Sequence, residues 1–344
     1  MENIQIINKL GKGLYGTTYT VKYMDNIYAL KRQKILKSYI DGGTKYPMWR
    51  EFKFFSWIKK LNRTDQVFFM KLISYKFYSN CDFSNETETY PSKLVQKLNK
   101  SNHCLDTMVD LKDGVLGKII EKLSFKQYFS MSIQILYVIY LISSAHYIHN
   151  DLHLNNIAYS KINRNQMIMI MIDGKKYELK SYGYQFSIID YGLILHKNFN
   201  LSIKKRKRYD DFTSFNRDFS MFFIYTLTRT SFAIKKRVKI APKLFEALKS
   251  KPELYQRIKL LVLSIYPELS KSYAKYEKSN KIDRFILYEV VQFLAIYDKE
   301  FLCRIFKEEY ETNILPNFIL EYIKLNMKNT KSLENIIKYL IIKI

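Results

Sequence analysis

The chain has 344 residues, 47% of them hydrophobic and 26% charged, which excludes an intrinsically disordered protein and leaves room for one large or two modest domains. Its formal net charge of +25 favours anionic partners (nucleic acid, acidic protein or anionic lipid), although the accompanying wealth of Lys, Ile, Asn, Tyr and Phe is also what AT-rich codons supply. Cys81, Cys104 and Cys303 form an odd, sparse set without a CxxC spacing, which argues against a disulfide framework or a zinc ribbon and for a reducing compartment.

The first residues, MENIQIINKL, lack a basic segment followed by an apolar one, so no secretory signal is expected. Ile4 to Leu10 reads as a strand, Gly11 to Gly16 as a glycine-rich turn, and Thr17 to Tyr23 and Ile27 to Lys31 as further strands around the turn signal Asp25-Asn26. After the break at Asp41-Gly42-Gly43, a helix is expected with Thr44 as its cap and Pro47 in its first turn, carrying Trp49, Phe52, Phe55 and Ile58 at helical spacing. Val67 to Tyr78 and Ser92 to Gln96 read as strands separated by the polar stretch from Ser79 to Tyr90.

From about residue 113 the pattern turns helical. Phe125 to Tyr147 has a wide apolar face, and its apolar centre, Met131 to Ala145, is interrupted by Ser132, Gln134, Ser143 and Ser144, so a buried core helix is expected and no transmembrane segment. Met167 to Ile172 and Tyr177 to Leu179 flank Asp173-Gly174 as a hairpin, and Phe186 to Ile189 is a short buried strand. After residue 212 nearly everything reads as helix, and no internal repeat is visible. The expected architecture is α+β and bilobal: a small β-rich lobe over residues 1–100 and a larger, mainly helical lobe over 101–344.

Gly11-x-Gly13-x-x-Gly16 lies between two strands, and glycine lets a backbone approach phosphates without a Cβ in the way. A strand rather than a helix follows, which argues against a dinucleotide fold. Lys31 ends the apolar strand Tyr28-Ala29-Leu30-Lys31, placed to meet a nucleotide's phosphates, and Glu51 on the next helix is spaced to hold its ammonium. His149-Asn150-Asp151-Leu152-His153-Leu154-Asn155-Asn156 follows the apolar helix, and Ile188-Ile189-Asp190-Tyr191-Gly192 ends a strand. A carboxylate beside a nucleophile, with a separate Asp/Asn pair for magnesium, is what phosphoryl transfer requires.

In this order the motifs resemble the protein-kinase superfamily, over about residues 5–230. The resemblance implies that Gly11, Lys12, Gly13 and Gly16 cover the ATP phosphates, that Ala29 and Lys31 contact the nucleotide, and that Glu51 partners Lys31. It further implies that Asp151 accepts or orients the substrate hydroxyl, that Asn156 and Asp190 hold Mg2+, and that Asp218 braces the catalytic loop. The adenine is expected in the cleft near residue 100, and Ser or Thr is the expected acceptor on base rate.

Several positions depart from the pattern. Asn150 stands where an arginine normally reads a phosphorylated activation loop, and His153 stands where most protein kinases have lysine, as in haspin-like kinases and small-molecule phosphotransferases. The segment from Asp190 to Asp218 is short, lacks Ala-Pro-Glu, and contains the basic run Lys204 to Arg208, from which a preference for acidic or phosphorylated protein substrates is expected. Nucleic acid is supported by the net charge alone. The short segment, the hairpin insert and the AT-rich bias resemble the divergent kinases of poxviruses, iridoviruses and giant viruses, implying a cytoplasmic or virion location. The competing readings are an aminoglycoside- or choline-type phosphotransferase, a silent pseudokinase scaffold, and a nucleic-acid-binding protein.

Overall fold

The computed structural model describes residues 4–13, 16–81 and 93–202, together with Asp218, Phe222 and Ile337. The tip of the glycine turn, most of the polar stretch before residue 91, the basic run at 204–208 and the helical region expected after residue 212 therefore lie outside the described residues, those single positions excepted.

The chain opens with a meander of three strands, β1 (Gln5–Gly13), β2 (Gly16–Tyr23) and β3 (Asn26–Ile35). Tyr23 pairs with Asn26, so the second turn is Met24-Asp25, one position before the expected dipeptide. Both residues have positive φ, as a two-residue turn matching strand twist requires, and the Asn26 side chain closes it on the Met24 carbonyl at 2.9 Å.

The single turn α1 (Lys37–Ile40) leads into α2 (Pro47–Ile58). Thr44 is not its cap. It lies in a separate 3-10 turn, Gly43–Lys45, and its hydroxyl accepts a hydrogen bond from the Asn200 amide at 2.9 Å. Pro47 sets the boundary instead: Tyr46 before it is extended, at φ −101° and ψ 147°, as the residue preceding a proline prefers. Met48, Phe52, Phe54, Phe55 and Ile58 are all buried, each worth roughly 1.5–3 kcal/mol of apolar transfer. Phe52 stacks on Tyr75 at 4.2 Å, whereas Phe54 meets Tyr147 at 5.0 Å and Tyr191 at 4.6 Å, so α2 is wedged between the first sheet and the later part of the chain.

A short turn, α3 (Arg63–Gln66), is capped by Asn62, whose side chain accepts from the Asp65 amide at 2.8 Å. The strand expected from Val67 begins later, as β4 (Leu72–Ser79), because the Phe68 and Phe69 amides still bond back into the turn, to Asp65 and Gln66. Where a strand was expected at 92–96 the chain forms α4 (Lys93–Asn99). A short apolar run fits either period, and here Leu98 is buried while Lys34 donates to the Asn99 carbonyl at 2.9 Å. With β5 (His103–Asp110) the first sheet is complete, antiparallel throughout, in the order β1-β2-β3-β5-β4. It thus runs past residue 100, and the chain leaves it at Asp110.

Cys81 and Cys104 are joined by a disulfide, against the reading of a chain without one. β4 and β5 pair with Tyr78 opposite Cys104, and the Cys81 amide donates to the Asn102 carbonyl, which brings the two Cα atoms to 6.1 Å. Strand pairing, which cysteine spacing does not disclose, makes the bond.

The second part consists of β6 (Gly114–Val115), α5 (Phe125–Ser144), β7 (Tyr147–Ile148), β8 (Ile157–Lys161), β9 (Met167–Ile172), β10 (Lys175–Lys180), β11 (Tyr184–Ile188) and β12 (Leu195–His196). β11, β8 and β6 form one sheet, while β9 pairs with β10 and β7 with β12. A reciprocal Ser124–Gln127 capping box starts α5, and Ile133, Leu136, Tyr137, Ile139 and Ile142 are buried along it. Among the described residues no helix is long and apolar enough to cross a membrane. The β9–β10 hairpin turns at Asp173-Gly174 as expected, and Ile168, Ile170, Ile172 and Leu179 face the core. The Tyr137 hydroxyl donates to Asp65 at 2.7 Å and accepts the Met171 amide at 3.1 Å, tying α3, α5 and β9 together. The described chain is α+β.

Candidate active site

Of Gly11 and Gly16 in the glycine turn, sterics require only the second to be glycine. At Gly16 a Cβ would sit 2.3 Å from the Arg32 carbonyl, so the passage of β3 requires its absence; at Gly11 a Cβ would meet nothing within 4 Å. Gly13 pairs with Gly16 where the two strands separate, and Lys12 is exposed beside them. Two residues apart on β3, Ala29 and Lys31 project from the same face of the sheet, opposite Val109 and Thr107 of β5. Ala29 is buried there and Lys31 half-buried.

Lys31 Nζ lies 3.2 Å from Asp190 Oδ1, an ion pair that joins β3 to the turn after β11. The sequence pointed to Glu51 as the partner. Glu51 is buried on α2 and acts on the same ammonium through space, while the contact itself goes to Asp190. Burial works against the Lys31 charge, but the fields of Asp190 and Glu51 outweigh it and raise its pKa above the ordinary lysine value. Lys31 in turn holds Asp190 below the usual carboxylate range. For Glu51, burial prevails over Lys31 and pushes its pKa up. Asp190 sits in the left-handed region at φ 58° and ψ 77°, starting the short turn Tyr191–Leu193.

The loop after β7 is held by Asp218. Its two carboxylate oxygens accept the His149 and Asn150 amides, each at 2.7 Å, and Asp218 is fully buried. Asn150, at φ 66°, donates its side-chain amide to the Leu193 carbonyl at 3.3 Å. His149 is buried, with Nε2 3.0 Å from the Ile189 carbonyl, and burial lowers its pKa to about 4, so it is neutral near pH 7. Asn156 Nδ2 donates to the Asp151 carbonyl at 2.8 Å and to its carboxylate at 3.2 Å. His153 Nε2 lies 3.7 Å from the same carboxylate. The Ile189 amide donates to the Asn156 carbonyl at 2.9 Å, so the strand before Asp190 is fastened to this loop.

Lys31, Glu51 and Asp190 thus meet in one place, and Asp151 and Asn156 sit on the loop fastened to it. Asn156 engages Asp151 through its Nδ2 and carries Oδ1 as its oxygen donor, and Asp190 is a half-exposed, ionised carboxylate. Two oxygen donors of this kind suit a hard divalent cation such as Mg2+ and not zinc. Among the described residues no group of three or more His, Cys, Asp or Glu is arranged for a metal.

Two residues at the site had no role in the sequence reading. Tyr191 is fully buried with its hydroxyl bonded to backbone on both sides, and the phenol itself, directly after Asp190, is the only sign of this in the sequence. Arg50, next to Glu51, is fully buried, and none of its three guanidinium nitrogens has a hydrogen-bond partner among the described residues.

No family model matches the chain, and no curated protein sequence matches it. Among solved structures the chain is similar to the kinase domain of PF14_0431, at 17% identity and a TM-score of 0.42, with 65% of this chain and 63% of that one covered.

Proposed function

We propose that the chain is a protein kinase that transfers the γ-phosphate of ATP, with Mg2+, to a Ser or Thr hydroxyl of a protein substrate. The observation that carries this reading is the Lys31–Asp190 ion pair, which links the strand behind the glycine turn to the turn after β11 across 159 positions of sequence, a turn that the Ile189–Asn156 backbone bond fastens to the Asp151–Asn156 loop. ATP lies under Gly11, Lys12, Gly13 and Gly16 with its base against Ala29. The base is assigned to the cleft near residue 100, on the side of β5 (His103–Asp110) that pairs with β3.

Lys31 keeps its charge and meets the α- and β-phosphates, with Glu51 steadying the ammonium behind it. When bound at Asn156 and Asp190, Mg2+ supplies positive charge against the phosphate oxygens. Asp151, oriented by the Asn156 amide, takes the proton of the substrate hydroxyl or aims that hydroxyl. Asp218 holds the loop in register from below, and no phosphate-reading arginine is present at Asn150. A preference for acidic or phosphorylated substrates goes with Lys204 to Arg208.

The test is transfer from γ-labelled ATP with Mg2+ to basic proteins, acidic proteins, aminoglycosides and choline, with Asp151→Ala and Lys31→Met run beside the wild type. Phosphoprotein that both substitutions abolish is the expected result; loss of the general base alone is worth about 10²–10⁴-fold. Label on small molecules only would replace the protein-kinase reading by the aminoglycoside- or choline-type one. ATP binding without transfer to any acceptor would support a scaffold.

A further inference from the structure

Asp190 is a non-glycine residue in the left-handed region, a conformation that persists only when its surroundings determine it. The surroundings are specific. On one side the Ile189 amide donates to Asn156, and the Ile189 carbonyl faces His149 Nε2. On the other, Tyr191 fills a fully buried site between Phe54, Phe55 and His149, with ring centroids at 4.6, 5.1 and 6.0 Å.

The phenol adds what an apolar ring would not. Its oxygen accepts the Met70 amide at 2.8 Å and its proton goes to the Ile188 carbonyl at 2.7 Å, bridging the segment before β4 to the end of β11. The Met70 amide also donates to Ile188 O at a longer 3.2 Å, the Met70 carbonyl lies 3.4 Å from the same phenol oxygen, and the Ile188 amide donates to Phe68 O at 3.0 Å. A phenylalanine would keep the ring packing and lose the bridge.

We infer that the Tyr191 hydroxyl is a positioning group for Asp190: by bridging Met70 and Ile188 it pins the turn that presents the Asp190 carboxylate, and so sets the divalent-cation requirement of the site. The inference rests on the proposed phosphotransfer reading for its consequence, though the clamp itself belongs to the fold.

The experiment compares Tyr191→Phe with Tyr137→Phe, which removes a buried, doubly bonded phenol at the Asp65–Met171 joint away from the site. Two quantities are measured: amide hydrogen exchange across residues 186–193 in the free protein, and the Mg2+ concentration giving half-maximal transfer at saturating ATP. Tyr191→Phe is expected to speed exchange at 189–192 and to raise the half-maximal Mg2+ concentration, each by roughly 2- to 10-fold, the scale of one lost neutral hydrogen bond. Tyr137→Phe should leave both unchanged while lowering the melting temperature. Unchanged exchange in Tyr191→Phe overturns the clamp. Faster exchange with an unchanged Mg2+ requirement, or the same rise in Tyr137→Phe, overturns its link to the cation. A wild type that transfers no phosphate defeats the phosphotransfer reading and with it the cation link, while the exchange comparison still decides the clamp.

Discussion

Lys31 on β3 and Arg50 on α2 are two cations treated in opposite ways. Lys31 on β3 has a carboxylate in contact and a second within its field, and its charge is secured beyond the ordinary lysine value. Arg50 on α2 is fully buried with no hydrogen-bond partner among the described residues, and burial brings its pKa down to about 10. His149 is a third case: it meets the same burial by staying uncharged. An ionisable group inside a protein is tolerated through partners, through neutrality or at the expense of stability, and the first keeps its charge most securely.

Three measurements would sharpen or break this contrast. The largest effect is expected from Lys31→Met, which should cut phosphate transfer by about 10²–10³-fold, the scale of removing one aimed electrostatic stabiliser, with the fold retained by circular dichroism. A loss no greater than that of an exposed lysine would place Lys31 outside the chemistry.

The second concerns His149. Its folded-state pKa is depressed from 6.5 to about 4, so its contribution is fully present above pH 6.5 and is lost as pH falls toward 4. Urea midpoints should therefore decline through that window, by at most roughly 3 kcal/mol of unfolding free energy, and His149→Gln should flatten that part of the profile. The same decline in the variant would assign it elsewhere.

The smallest effect is expected at Arg50. Replacing a buried cation that has no partner among the described residues by an apolar side chain of similar length removes a desolvation cost, so Arg50→Met should raise stability by roughly 1–3 kcal/mol and lift the melting temperature. A fall instead would mean that the guanidinium is stabilised where it lies.

The parts of the fold legible in the sequence were those governed by local rules. Asp173-Gly174 marked the hairpin turn, Pro47 marked the start of α2, and the apolar run after Ser124 marked a core helix. Asp218 was expected to brace the loop, and its carboxylate does lie on the His149 and Asn150 amides. What escaped was decided by neighbours distant in sequence. α4 read as a strand because its few apolar residues fit both periods, and docking on β3 chose the helix. Lys31 contacts Asp190 as well as feeling Glu51, a choice made by where the turn after β11 comes to rest. Tyr191 passed as a ring because its bridge depends on two backbone groups from different parts of the chain.

The bond between Cys81 and Cys104 has one more consequence. It closes a loop 23 positions long that includes α4 and joins two adjacent strands of the first sheet. A chain opened by a protease anywhere within that loop remains a single molecule until a thiol reductant is added: both fragments migrate together on a non-reducing gel and part on a reducing one. New chain ends could therefore be placed there while the two edges of the cut stay covalently attached to β4 and β5.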